Sequence, residues 1–177
     1  MNETTKFSLS RLAKALPVSR IRRNHALEHA TLQILSAKYP HLRLAGYSTP
    51  GGFWVIGNIT TEDLQLAALE AQTRLKNGES LLAIHPNCGT NFAASGIIAG
   101  AAAWLSMLYV GHGFRQKWER LPIVISAVTI SLIVAQPIGP YLQEHFTTQA
   151  DLGDLKVTGI MRYADRSPIT HRVITKG

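Results

Sequence analysis

Within Asn24-His25-Ala26-Leu27-Glu28-His29-Ala30, two imidazoles stand four residues apart with a carboxylate immediately before the second. On a helix this spacing sets His25 and His29 one turn apart on the same face, with Glu28 beside them. Imidazole is the commonest protein ligand for metal ions, and a carboxylate next to such a pair has the chemistry of a general base. A second polar stretch, His85-Pro86-Asn87-Cys88-Gly89-Thr90-Asn91, brings another imidazole, the only thiol of the chain and two amides. It lies just before a long apolar run, and it is the natural partner of the first stretch.

Zinc accepts His, Cys and carboxylate ligands and, in catalytic sites, keeps one position for water. His85 and Cys88 are therefore candidates for a third ligand. The run His25-Ala26-Leu27-Glu28-His29 resembles the H-x-x-E-H motif of the inverzincins. That resemblance implies that His25 and His29 hold zinc and that Glu28 activates water against a peptide or other acyl bond. It also makes Glu70, on the next expected helix, a counterpart of the downstream glutamate ligand of those peptidases. The likeness covers five residues, and the inverzincin fold is much larger than this chain, so their substrates do not carry over. A second enzymatic reading makes Cys88 a nucleophile near a helix N-terminus, with His25, His29 or His85 as base and Asn87 or Asn91 as orienter or oxyanion donor. The plain alternative has Asn24 capping the helix while the His and Glu side chains bond each other, a turn or lipid headgroups. His41, His112, His145 and His171 are isolated and read as surface or interfacial residues.

The elements that must position these groups follow from periodicity. Residues 7–16 form a short basic amphipathic segment that Pro17 is expected to stop. Leu27, Ala30, Ile34 and Ala37 recur at helical spacing over about 24–38, leaving His25 and His29 off the apolar stripe. Residues 42–47 and 53–59 read as a hairpin around Ser48-Thr49-Pro50-Gly51-Gly52. Thr60 caps a second helix whose apolar face is Leu64, Ala67, Ala68, Ala71 and Leu75, closed by Asn77-Gly78. Leu81–Ile84 is a short strand or a lead-in to His85. Beyond the apolar region, 155–163 and 169–174 are expected as strands able to pair with the first hairpin.

Phe92 to Val110 and Leu121 to Leu142 carry no charge. A run of the first length can cross a bilayer core of ~30 Å as a helix. The second is interrupted by Gln136-Pro137 and Gly139-Pro140, which should kink its last turns. The connection at 111–120 holds Arg115, Lys117, Trp118 and Arg120, suited to an interface. The pair reads as a transmembrane helical hairpin, against the alternative of two buried helices in a soluble bundle. Gly96 and Gly100 form a G-x-x-x-G that permits close contact with the second helix, another copy or a membrane-protein partner.

Composition fits this division. Apolar residues make up 46% and charged residues 16%, and of the net charge of +7, residues 1–23 hold +5. One cysteine excludes an internal disulfide, and no secretory signal pattern is visible. Basic residues without interleaved aromatics in the N-terminal arm give no case for nucleic acid. As a whole, residues 20–175 resemble a poorly characterised group of small bacterial membrane proteins that join an N-H-A-L-E-H-A stretch to an H-P-N-C-G-T-N stretch before a hydrophobic hairpin. The expectation is an α+β membrane protein. It has a basic arm (1–21), a small α/β domain with a short antiparallel sheet (22–91), a two-helix transmembrane hairpin (92–142) and C-terminal strands returning to the sheet (143–177). Its place is the lipid bilayer of a bacterial inner membrane, the globular part in the cytoplasm, with a zinc-dependent, peptidase-like hydrolase site at the membrane surface. The alternative is a non-catalytic membrane protein that binds a partner or assists assembly.

Overall fold

A computed structural model describes residues 16–163 and 168–177. The amphipathic segment expected at 7–16 lies outside them, apart from the backbone of Leu16. The first described helix, α1, spans Leu16–Lys38. It starts well before the expected Asn24, because Pro17 falls in its first turn, where the missing N–H costs nothing and the fixed φ suits helical entry. Pro17 is thus a starter and not a stop.

Strands β1 (Ala45–Thr49) and β2 (Gly52–Ile56) form the hairpin, and α2 (Thr61–Lys76) follows. Thr60 caps α2 by accepting from the Asp63 N–H, and Gly78, at a φ of +93°, ends the segment behind it. Lys38 and the Thr60 hydroxyl bond the Asp63 carboxyl and hold its pKa down at about 2. Residues Ser80–Ala83 are a 3-10 turn leading to His85, and not the short strand that was the other expectation for Leu81–Ile84. Strands β3 (Lys156–Tyr163) and β4 (Thr170–Lys176) complete a four-stranded antiparallel sheet in the order β1-β2-β4-β3. The central pairing sets Phe53 opposite Val173 and Trp54 opposite Arg172.

One face of this sheet carries Phe53, Val55 and Val173, all fully buried. Against it pack α1, mainly on β1 and β2, and α2, on β3. Leu27, Leu35, Leu64, Ala68 and Ala71 fill the space between. At about 1.5–3 kcal/mol for each large apolar side chain buried, this layer is the main cohesive term of the domain. Because α1 also touches α2 and the 3-10 turn, it is enclosed on more than the expected stripe. Ala26, Leu32 and Leu35 are buried with Leu27 and Ala30, whereas Ala37 is exposed.

The described chain divides into two compact units, one of residues up to His85 together with Glu144–Gly177, the other of Pro86–Gln143. The second contains α3 (Gly89–Ser106), α4 (Phe114–Ala135) and the short α5 (Ile138–Leu142). Five α-helices and four strands among the described residues make the fold α+β. Within the second unit α3 packs along α4, and Arg120 Nε donates to the Ser106 carbonyl at 3.0 Å. The residues expected as a polar connection from 114 onward are instead the first turns of α4, where Arg115 and Glu119 pair one turn apart. Helix α4 breaks after Ala135, before Pro137. One helix, Phe114–Ala135, is long and apolar enough to cross a membrane. Helix α3 ends at Ser106, so its uncharged stretch from Phe92 reaches only about 22 Å at 1.5 Å per residue. A Cβ at Gly96 or Gly100 would meet nothing within 4 Å, so the G-x-x-x-G face is not where α3 meets α4.

His171, expected at the surface, is fully buried on β4. Its Nε2 lies 3.2 Å from the Thr61 hydroxyl, and its Nδ1 has no hydrogen-bond partner among the described residues. Burial, and then the charge of Arg162, depress its pKa, against a smaller opposing effect of Glu62. The unfolded chain, with an ordinary imidazole near 6.5, therefore binds the proton more readily than the folded one. The His171 contribution is complete above about pH 6.5 and is lost as pH falls from there through the lowered folded value. The melting temperature should drop more between pH 7.5 and 5.5 in the wild type than in His171→Phe, measured under the same conditions.

Candidate functional site

The site is built on α1. Asn24 is fully buried and in mid-helix, so it does not cap anything. Its Nδ2 donates to the Thr49 carbonyl at 2.8 Å and to the Pro50 carbonyl at 3.3 Å, and its Oδ1 accepts from the Thr175 hydroxyl at 2.7 Å. One amide thereby ties the helix to the β1–β2 turn and to β4. Sequence reasoning missed this role. A buried Asn inside an otherwise helical stretch, one residue before the His pair, was the available signal.

One turn further along α1, Glu28 is 3% exposed. The Ser48 hydroxyl donates to its Oε2, and a Cβ added to Gly46 would stand 2.5 Å from its Oε1. Both carboxylate oxygens therefore lie against β1, and the hairpin needs glycine at 46 to admit them.

His25 and His29 come together as the spacing required. Their ring centroids are 4.2 Å apart at an interplanar angle of 60°, an edge-on contact. Their ligand-capable nitrogens lie within 4.8 Å of one another. His25 is half-buried and His29 is buried. Each Nδ1 is matched to a backbone carbonyl, His25 to Thr147 at 2.9 Å and His29 to Ala83 at 2.7 Å. With Nδ1–H donating, the lone pair of each ring is on Nε2. Neighbouring side chains fix the same backbone. Arg22 Nη2 donates to the carbonyls of His145 and Thr148, and Gln33 Nε2 donates to those of Leu82 and Ile84. Burial lowers the pKa of Arg22.

The ring of His85 lies 5.5 Å from that of His29, at the end of the segment that Gln33 holds. Glu70 is on the exposed face of α2, paired with Arg74 at 3.4 Å, and is not brought to the imidazoles. In the second unit, Cys88 is the N-cap of α3, its Sγ accepting from the Thr90 N–H at 3.4 Å, and it is buried. Asn91 donates to the Pro86 carbonyl at 2.7 Å and accepts from Gln143 at 2.6 Å, so its amide is engaged in shaping the start of α3. Gly139 lets α5 approach, since a Cβ there would stand 2.3 Å from Asn91 Oδ1.

Residues 20–160 match the protein family described as a domain of unknown function, DUF6391. This chain belongs to that family. An uncharacterised protein of Picosynechococcus sp. is 34% identical to it over 160 residues, which cover 83% of this chain and 74% of the relative. No solved structure matches. The matched region of this DUF6391 member contains most of α1, the hairpin, α2, the segment from His85 to Asn91, α3 and α4.

Because a methyl group at 46 has to displace a buried carboxylate, Gly46→Ala should destabilise the fold by about 1–3 kcal/mol, as overpacking does. Gly46→Ala combined with Glu28→Ala should recover part of that loss. Melting curves of the two single variants and the double variant measure the coupling.

Proposed function

We propose that this protein is a membrane-anchored metal protein in which His25 and His29 hold a zinc-like ion through Nε2. One observation carries the reading, the pairing of both Nδ1 atoms with backbone carbonyls. Metal-binding histidines typically donate the second ring N–H in this way, which fixes tautomer and ring orientation before the ion arrives. Thr147 and Ala83 supply those acceptors from two separate segments.

The third ligand comes from the stretch that begins at His85. His85 is our choice, because its ring lies 5.5 Å from that of His29 within the same unit and zinc accepts three imidazoles. Such a set would leave the ion a fourth position for water, and the ion would supply Lewis acidity. In this reading Glu28 takes the proton of the attacking water and passes it to the leaving group of a peptide or other acyl substrate. A second reading is favoured by the Ser48 hydroxyl on Glu28 Oε2. Glu28 then orients α1 on the hairpin, and the metal serves structure in a non-catalytic, partner-binding or assembly role.

Metal analysis of the purified protein separates these. Wild type should hold about one ion per chain, and His25→Ala with His29→Ala should lose it; equal sub-stoichiometric metal in both ends the proposal. Cys88→Ser and His85→Ala identify the third ligand by the same measurement. Glu28→Gln should keep the ion and abolish hydrolysis if Glu28 is the base.

The membrane part of the proposal rests on α4 and its neighbour. Ile123, Ile125, Ile130 and Ile133 on α4, and Phe92, Ile97 and Trp104 on α3, are all more than half exposed. An apolar surface of this kind is suited to lipid. We place α4 across the bacterial inner membrane with α3 alongside it, and the sheet domain in the cytoplasm. The protein should stay with the membrane pellet in alkaline carbonate and move to the supernatant only with detergent. Release by carbonate alone would remove the anchor.

A further inference from the structure

The sheet has a second face, away from α1 and α2, which the proposed metal site does not use. Register places Tyr47 opposite Trp54, Trp54 opposite Arg172, and Lys156 opposite Lys176, so these side chains share that face. Tyr163 continues the aromatic row, its ring 5.3 Å from Trp54 at 37°, while Tyr47 stacks on Trp54 at 5.9 Å and 14°. The Arg172 guanidinium sits 5.5 Å from the Trp54 ring.

Charge gives the face a direction. Lys156, Arg172 and Lys176 stand on it, and the four strands carry no Asp or Glu. Lys156 and Lys176 are directly cross-strand, an arrangement that destabilises a sheet left to itself. Neither makes an ion pair among the described residues, and both are exposed. Such a surface has a use when an anion lies over it.

Two anionic surfaces combine with aromatic rows. Bases of a single strand stack on open ring faces. Here the central ring, Trp54, already lies against Tyr47, Tyr163 and Arg172, which leaves little of its face for a base. Ring edges, a Trp N–H and Tyr hydroxyls beside Lys and Arg are the composition of a bilayer interface, with cations drawn to acidic headgroups. We infer that the outer face of the sheet, centred on Tyr47, Trp54 and Tyr163 and flanked by Arg172, Lys156 and Lys176, docks on the headgroups of an anionic bilayer.

The inference rests on the reading of this chain as a membrane protein, and the experiment separates the two. The full chain is placed in nanodiscs of phosphatidylcholine, with or without phosphatidylglycerol, and with lipids brominated near the headgroup end of the acyl chains. One variant keeps only Trp54 (Trp104→Phe, Trp118→Phe). Another keeps only Trp118, near the start of α4 (Trp54→Phe, Trp104→Phe). Trp54 emission should be quenched in discs containing phosphatidylglycerol and recover in high salt or with Lys156→Glu/Lys176→Glu, two exposed changes that the fold should tolerate. Quenching of Trp118 with no response of Trp54 to lipid charge overturns the docking and leaves the anchor intact. No quenching of either overturns both. A Trp54 response to single-stranded oligothymidylate in place of lipid overturns the docking in favour of a nucleic-acid platform.

Discussion

The structure depends on burying polar side chains on α1. Asn24, Glu28 and His29 are almost inaccessible on one helix, and each meets a partner on a different piece of chain. Asn24 bonds the β1–β2 turn and β4, Glu28 bonds Ser48, and His29 bonds Ala83. A buried polar group left without its partner costs about 1–3 kcal/mol, more than one small apolar side chain on a helix flank can return. These matches therefore set the rotation of α1 about its axis and its position along the sheet. A helix held only by Leu27 and Leu35 would have had freedom to roll.

That constraint organises what surrounds the imidazole pair. The same helix that turns Asn24 and Glu28 toward the sheet turns His25 toward Thr147 and His29 toward Ala83. Arg22 and Gln33, one turn outside the pair on either side, grip the carbonyls flanking these acceptors. Two segments separated by some sixty residues of chain are thus brought to one helix, and the rings are oriented before any ligand is considered. Gly46 belongs to this system, because only a residue without a side chain leaves room for the Glu28 carboxylate at the hairpin. The Lys38–Asp63 pair, joining the end of α1 to the start of α2, is exposed and adds little by comparison.

The sheet also divides its own chemistry. Its helix-covered face sets Ser48, His171 and Thr175 among Phe53, Val55 and Val173, and its other face is aromatic and cationic. In the second unit the relation is reversed. Helices α3 and α4 bury one residue each among those described, Ala94 and Ala135, and present their large apolar side chains outward. One chain thus joins a domain that hides its apolar groups to a helical unit that displays them.

Much of this was legible in the sequence because local rules decide it. The i, i+4 spacing of His25 and His29, the Thr60 cap, the Asn77-Gly78 stop, the hairpin turn and the break before Pro137 are each fixed within a few residues. So were the α+β character and the existence of uncharged apolar runs. The sequence could not reveal where α1 begins, since Pro17 either stops or starts a helix and only the fold chooses. Nor could it tell that Asn24 is a tie and not a cap, that His171 is buried and Glu70 exposed, or that α3 stops at Ser106. Those outcomes depend on partners distant in the chain, and a side chain's burial is a property of the contacts made around it. Residue types alone therefore determined which groups could do chemistry. Tertiary structure decided which of them meet, because a hydrogen bond from His29 to Ala83 or from Asn24 to Thr175 exists only after the chain has folded back on itself.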